Sequence, residues 1–280
     1  MYEQRVLKIS IVTPSFNHAR FIQRTIDSVL SQQGDFELEY RVLDGASTDG
    51  TVDLLRSYGD RLSWISEKDN GQVDAINNGL RAVTGDIVGW LNSDDVLLPG
   101  ALASVAKAFA ENPRAEWVHG RCKIIDAEDR EVRRWISAYK HYRCQRHTFA
   151  NFLTEDYVSQ MTTFWRRSVH DEIGYLDDGF RFAFDHEFFL RLAERGAPVY
   201  LDDELACFRW YETSKSGEGY VVQMTETASL SERFGADAWT RARANAKKVA
   251  IINIYRLMSL ARSARARLRA GELRRDRSSR

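Results

Sequence analysis

A chain of 280 residues, 44% hydrophobic and 29% charged, has room for a large core and the composition of an ordinary globular protein. No window approaches the roughly 20 apolar residues that a membrane span needs. Lys plus Arg and Asp plus Glu number 40 each, and this net charge of zero conceals an asymmetry between the body of the chain and its basic end.

The first expected strand is Lys8-Ile9-Ser10-Ile11-Val12-Thr13, which runs into Pro14-Ser15-Phe16-Asn17. Phe21, Ile22, Ile26, Val29 and Leu30 then follow at helical spacing. Tyr40-Arg41-Val42-Leu43 reads as a second strand ending at Asp44. Gly45 to Thr51 is the turn after it, with capping residues before a helix through Leu54 and Leu55. Leu62 to Ser66 is a third strand, followed by Glu67-Lys68-Asp69-Asn70-Gly71. A helix through Val73, Ala75, Ile76 and Leu80 stops near Gly85, and Ile87-Val88-Gly89-Trp90-Leu91 is short enough for a buried strand. This alternation argues for an α/β fold with a parallel sheet covered by helices on both faces. Right-handed crossovers place the strand ends on one edge, so Asp44, Asp69, Asp94 and Asp95 are expected to converge.

The fourth strand ends in Asn92-Ser93-Asp94-Asp95. Two adjacent acids repel each other and resist desolvation unless a cation or a hydrogen-bonding ligand compensates. A hard divalent cation that also bridges substrate phosphates is the usual solution. The plainer alternative is a polar turn whose Ser and Asp cap the next segment.

Beyond Pro99-Gly100, Ala101 to Ala110 reads as a helix stopped before Pro113. Trp117-Val118-His119 and Cys122-Lys123-Ile124-Ile125 are expected as antiparallel strands. Residues 130–158 are rich in aromatic and basic groups, among them Trp135, Tyr139, Tyr142, Arg143, Arg146, Phe149, Phe152 and Tyr157. They form either an exposed binding platform or a helical subdomain, and the usual burial of aromatics favours inward packing. His141, Cys144 and His147 have a metal-like spacing but no evident fourth ligand, so a zinc site is not expected. Asp185 is embedded among Phe182, Phe184, Phe188 and Phe189. Low polarity there would raise its proton affinity and make it a better base, and it also stands where a helix to Ala193 begins.

Over residues 6–216 the sequence resembles nucleotide-sugar-dependent glycosyltransferases of family 2, the large inverting family with the GT-A fold. Six segments in the family's order carry the likeness: Thr13 to Asn17, Leu43 to Thr51, Ser66 to Gly71, Asp74 to Asn77, Asn92 to Asp95, and Phe184-Asp185-His186-Glu187 with Arg191. The resemblance implies a Rossmann-like GT-A fold with a mostly parallel central sheet flanked by helices, plus a C-terminal helical extension. Residues 1–98 would form the nucleotide-sugar-binding half, 99–216 the acceptor-binding and catalytic half, and 217–280 the basic extension. It further implies transfer from a nucleoside-diphosphate sugar, with uracil as the expected base, to an acceptor hydroxyl. Thr13 and Pro14 would line the base pocket, Asp44 would contact the base, and Asp69, Asp74 and Asn92 would complete the nucleotide site. Asp94 would face ribose or metal, Asp95 would hold Mn²⁺ or Mg²⁺ beside it, and Asp185 would be the general base. Arg209 and Lys215 would meet the diphosphate. Two positions depart from the family: Phe184 stands where Glu often precedes the base, and Trp210-Tyr211 stands where a His is common.

The acceptor would be a glycan, a lipid-linked compound or another hydroxyl compound, in surface polysaccharide or glycoconjugate synthesis. Rival readings are a nucleotidyltransferase, which would want a Gly-rich basic loop in place of Pro14 to His18, and a non-catalytic sugar-nucleotide-binding scaffold. Met1 to Arg5 lacks a signal-peptide stretch, and the widely spaced Cys122, Cys144 and Cys207 suggest reduced thiols, so a cytoplasmic location is expected. Residues 233–280 hold 14 Lys/Arg and 3 Asp/Glu, a net of +11, which leaves −11 for the rest. The apolar stretch from Val249 to Leu260, followed by Arg262 to Arg280, reads as a helix packed on its own domain with a solvated end. The alternative is peripheral contact with the inner membrane face. Nucleic acid is not an expected partner, since no aromatic follows Tyr255.

Overall fold

Strand β1 (Leu7–Ser15) has no charged side chain after Lys8 and is buried from Ile9 onward, so it belongs in a sheet covered on both faces. A computed structural model of the protein describes residues 6–212, 214–215 and 219–257. The other strands are β2 (Phe36–Asp44), β3 (Ser63–Ser66), β4 (Ile87–Trp90), β5 (Val96–Leu97), β6 (Trp117–Ile125), β7 (Thr163–Arg166) and β8 (Val199–Arg209). They form one eight-stranded sheet in the order β3-β2-β1-β4-β7-β6-β8-β5. β1 to β4 are mutually parallel where they pair, and β6 is parallel to β8. β7 runs against both β4 and β6, and β5 runs against β8. The fold is thus α/β with flanking helices as expected, but the sheet is parallel in its first half and mixed beyond.

One expectation is corrected. Residues 117–119 and 122–125 are not two antiparallel strands but one strand, β6. Gly120 makes no turn: a Cβ there would strike the Leu205 side chain of β8, and the β6–β8 register shifts at this point. That is a bulge, which bends a strand without ending it. The antiparallel partner of β6 is β7.

The helices are α1 (Ala19–Leu30), α2 (Thr51–Ser57), α3 (Gln72–Ala82), α4 (Ala101–Glu111), α5 (Arg134–Cys144), α6 (Phe149–Phe152), α7 (His170–Ile173) and α8 (Phe184–Arg195). Alternation along the strands sends Ile9, Ile11 and Ile87 to one face, against Ile22 and Ile26 of α1 and Leu102 and Phe109 of α4. Val12, Val88 and Trp90 go to the other, with Ile76 of α3 and Phe188 and Phe189 of α8. α3 lies so close to the sheet that a Cβ on Gly79 would enter Val12 and Leu43.

Two further helices follow β8, one over Tyr220–Arg233 and one over 238–257. Leu230 is fully buried in the α8 core. Glu226 accepts the backbone N–H groups of Arg181, Phe182 and Ala183 at 3.1, 2.8 and 2.9 Å, just ahead of α8. A carboxylate at that end also suits the helix dipole. The region after residue 216 therefore fixes the start of α8, and with it Asp185. No helix among the described residues is long and apolar enough to cross a membrane. The basic run Arg262 to Arg280 lies outside the described residues.

Candidate active site

The carboxyl ends of β1, β3 and β4 open into a cavity of about 1060 Å³. Pro14, Ser15, Asp69, Gln72, Asn92 and Asp94 line one side, and Asp185 and Lys215 lie on its wall as well. Gly45 belongs to this wall because a Cβ there would collide with the Asp69 carboxylate.

The two adjacent acids part company. Asp94 reaches the cavity, where its Oδ2 accepts a 3.0 Å hydrogen bond from the Tyr211 hydroxyl. Burial and the charge of Asp94 both hold the Tyr211 phenol in its neutral, donating form. Asp95 is fully buried and does not line the cavity. Its Oδ1 accepts the backbone N–H of Arg209 at 2.8 Å and its Oδ2 accepts Asn92 Nδ2 at 3.1 Å. Burial first, then the neighbouring Asp94, pushes the Asp95 carboxyl well above its ordinary range. Asp95 is therefore the weaker candidate for a cation ligand.

Other expected site residues separate in the same way. Pro14, Asp69 and Asn92 line the cavity. Thr13 is buried behind it, its hydroxyl 3.1 Å from Tyr40 Oη. Asp44 is 2% exposed and accepts Ser47 Oγ at 2.5 Å, Ser47 N at 2.9 Å and Ser66 Oγ at 2.6 Å, so it ties the ends of β2 and β3 together. Asp74 serves the start of α3, accepting from Asn70 N at 3.0 Å and Asn78 Nδ2 at 3.2 Å. None of these three carboxylate or hydroxyl groups is on the cavity wall. Arg209 is on it, but Nε donates to the Asp94 carbonyl at 2.8 Å, Nη1 to the Asp126 carbonyl at 2.8 Å, and Nη2 pairs with Asp129 at 2.5 Å. Lys215 makes a lighter commitment, with Nζ 2.8 Å from Gln72 Oε1 and over the Phe182 and Phe184 rings. Burial lowers its proton affinity, with Asp185 opposing that shift.

Asp185 occupies the first turn of α8 on the cavity wall. Burial, then the charge of Asp156, pushes its carboxyl up to about 7, against the His186 backbone N–H at 2.8 Å. Asp156 is itself pushed up to about 6 by burial, with Lys140 opposing. All three side chains face the cavity. A carboxyl poised near neutrality can take a proton at physiological pH. The neighbouring Glu187 is turned away: it is fully buried and held by Arg191, whose Nη2 lies at 2.8 Å.

Sequence reasoning passed over Gln72, Lys140, Asp156 and Gln160. Gln160 Nε2 donates to the Trp90 carbonyl at 2.7 Å and its Oε1 accepts Asn92 Nδ2 at 3.1 Å, which orients the end of β4. No spacing rule links Gln160 to a strand 70 residues earlier. The aromatics of 130–158 pack inward only in part: Phe152 and Tyr157 are buried, whereas Trp135 and Tyr139 of α5 are exposed at the cavity wall and Tyr142 is exposed beside them. α5 is a single layer with one face on the cavity, so these rings have no core to enter. His141, Cys144 and His147 go to separate partners, Tyr200 Oη, the Tyr157 carbonyl and Tyr157 Oη. Among the described residues no three His, Cys, Asp or Glu side chains come together as a metal site.

Residues 10–174 match the family model described as glycosyl transferase family 2. An uncharacterized glycosyltransferase of Mycobacterium tuberculosis is 31% identical over 196 residues, which is 68% of this chain and 71% of that protein. A Mycobacterium bovis protein named PGL/p-HBAD biosynthesis glycosyltransferase matches with the same identity and coverage. An uncharacterized glycosyltransferase of Nostoc is 32% identical, but the match spans only 45% of this chain and 40% of that protein. Among solved structures, Staphylococcus aureus TarS 1-349 in complex with UDP-GlcNAc superposes with a TM-score of 0.61 and 19% identity, covering 85% of this chain and 69% of the other. The mannosyltransferase PcManGT of Pyrobaculum calidifontis, in complex with GDP-Man and Mn²⁺, gives a TM-score of 0.63 and 18% identity, covering 92% and 81%.

Proposed function

The chain belongs to glycosyl transferase family 2, and from that premise we propose that it transfers a sugar from a nucleoside-diphosphate donor to an acceptor hydroxyl with inversion, using Asp185 as general base. The observation that carries this reading is the single cavity holding both Asp94, at the end of β4, and Asp185, raised to about 7, at the start of α8. The bond from the anomeric carbon to the diphosphate oxygen breaks as the acceptor oxygen attacks from the opposite face. The acceptor proton passes to the Asp185 carboxylate, and the nucleoside diphosphate departs. One base carboxylate suffices for single-step displacement, unlike the paired acids of glycosidases. Lys215 faces the leaving group, Pro14 and Asp69 bound the nucleotide side, and Asn92 is oriented by Gln72 and Gln160.

A divalent cation fits the residues present only as a shared ligand. Asp94 offers one cavity-facing carboxylate, and Asp95 has both oxygens taken by N–H donors. Mg²⁺ and Mn²⁺ sites of that kind take one or two carboxylates and fill the remainder with substrate phosphates and water. When bound, Mn²⁺ or Mg²⁺ supplies neutralisation of the diphosphate's developing charge. The UDP-GlcNAc and the GDP-Man with Mn²⁺ held by the two structural neighbours support a nucleotide-sugar donor and leave uridine and guanosine both open. The pathway we infer is glycoconjugate or polysaccharide synthesis; the M. bovis relative is named for PGL/p-HBAD biosynthesis.

The test is a thermal-shift screen of UDP- and GDP-sugars with and without Mn²⁺, followed by NMR of the product anomer from the stabilising donor. An α-linked donor should yield a β-linked product. Retention of configuration would remove the single-displacement mechanism.

A further inference from the structure

Beyond Asp185 the cavity wall changes character. Trp135 and Tyr139 of α5, Met224 of the Tyr220–Arg233 helix, and Ile251 and Ile254 of the 238–257 helix line it. On that last helix Ala244, Lys247, Lys248, Ile251, Ile254 and Tyr255 stand at i, i+3, i+4, i+7, i+10 and i+11, with Ala250 at their edge, so one face is turned to the cavity. Trp135 is 58% exposed and Ile254 43% exposed, so the apolar stripe runs from the interior out to solvent. The wall is anchored beside the base. Lys247 Nζ lies 2.5 Å from Glu155 Oε2 and 3.1 Å from Thr154 Oγ1, and Arg243 donates to Asn151 at 3.0 Å. Those partners belong to the segment that carries Asp156.

Isoleucine and methionine offer a hydroxyl-rich sugar no hydrogen bonds, whereas a hydrocarbon chain laid on them removes apolar surface from water. The described part of that helix ends at the exposed Leu257. In sequence, residues 258–280 then add 8 Arg against 2 acids, a charge that complements the anionic bilayers from which a chain of that kind is drawn. On the reading of Asp185 as general base, we infer that the acceptor is lipid-carried: its hydroxyl-bearing head group lies at Asp185 and its hydrocarbon chain lies along Met224, Ile251, Ile254 and Trp135.

The full chain is titrated with methyl, phenyl and octyl β-D-glucopyranoside below micelle-forming concentrations, and with UDP. Each buried methylene is worth roughly fourfold in affinity. With about half the octyl chain covered, octyl glucoside should bind on the order of 100-fold more tightly than methyl glucoside. Ile254→Asp, at an exposed position, should lose at least about tenfold of that gain while UDP affinity and melting temperature stay as in the parent. Equal affinities for methyl and octyl, a phenyl glucoside tighter than octyl, or an octyl gain untouched by Ile254→Asp would overturn the lipid-carried acceptor. UDP binding without chain-length dependence sinks this inference alone, whereas failure of UDP to bind sinks the donor reading with it.

Discussion

Replacing Asp185 by Asn keeps the size of the side chain and removes its capacity to accept a proton. If Asp185 is the base, turnover should fall by about 10²–10⁴-fold, the usual contribution of a positioned base. The same change should stabilise the protein. The folded carboxyl is raised from its ordinary 3.8 to about 7 by burial and by Asp156. The folded state thus holds this proton more tightly than the unfolded chain. Its contribution to stability is fully present below pH 3.8 and is lost as pH rises through about 7. At pH 8 the ionised form is a burden, at about 1.4 kcal/mol per unit of displacement. Allowing for solvent at the cavity wall and for Lys140, that is on the order of 2–4 kcal/mol. Asn carries no such charge, so Asp185→Asn should melt several degrees higher at pH 8, and the difference should vanish near pH 4. The parent's kcat should fall tenfold per pH unit once the pH drops below about 6. Transfer rate, donor affinity and melting temperature at two pH values settle the matter in one variant. A structural carboxylate gives the reverse: lowered melting temperature at pH 8, with activity following the folded fraction. Near-normal turnover in well-folded Asp185→Asn would refute the assignment.

The remaining predictions concern the residues around it. Asp94→Ala should abolish any strengthening of UDP binding by Mn²⁺, read by calorimetry with metal and with chelator; equal affinities in the parent would remove the cation from the reaction. Asp95→Ala should instead lower the melting temperature, because it orphans the buried Arg209 N–H at a cost of about 1–3 kcal/mol. Tyr211→Phe frees Asp94 Oδ2 from its hydrogen bond and should tighten Mn²⁺-dependent UDP binding several-fold, while unchanged or weaker binding would mean that the hydroxyl supports the site. Arg191→Ala leaves Glu187 only Arg233 as a partner, at 3.3 Å, and removes the donors to the Ile173 and Tyr175 carbonyls, so it should cost about 1–3 kcal/mol by chemical denaturation; a loss of turnover without loss of stability would place Arg191 in the chemistry.

Four of the five strands in the first 98 residues were legible because apolar or alternating residues run into an acid or a turn, and parallel order follows from alternation with helices; the two-residue β5 is too short to leave a pattern. Of the four acids expected to converge, Asp69 and Asp94 reach the cavity, whereas Asp44 and Asp95 are buried behind its wall. What stayed hidden depends on contacts far apart in sequence. Nothing local distinguishes Asp94 from Asp95; the difference comes from the Arg209 N–H, 114 residues later, which engages only one of them. Asp74 matches a family position, yet here it closes the first turn of its own helix, a use that capping chemistry always offers an acid there. Residues 117–119 and 122–125 were expected as two strands, but Gly120 between them sits where Leu205 leaves no room for a Cβ and the strand continues. The exposed rings of α5 and the Glu226 support of α8 both require knowing where the last two helices pack.

The pairing of Asp94 and Asp95 explains why the motif carries two acids when one faces the cavity. Asp95 is the anchor. It receives the Arg209 N–H, while Arg209 Nε returns a bond to the Asp94 carbonyl and Val96 and Leu97 pair with Cys207 and Ala206. Thr25 of α1 adds a bond to the Asp95 carbonyl at 2.7 Å. The loop after β4 is therefore fastened to β8 on one side and α1 on the other, through backbone groups that a ligand cannot displace. Raising the Asp95 carboxyl toward its protonated form relieves the repulsion with Asp94 and leaves the negative charge on the side that faces the cavity. A carboxylate held that way loses little freedom when a cation or a diphosphate arrives, so the binding energy goes into the contact instead of into ordering the loop. The opposite wall follows the same rule: Glu226 and Lys247 fix the start of α8 and the 151–156 segment. The two sides of the cavity are thus set by different parts of the chain, and the C-terminal helices shape it as firmly as the sheet does.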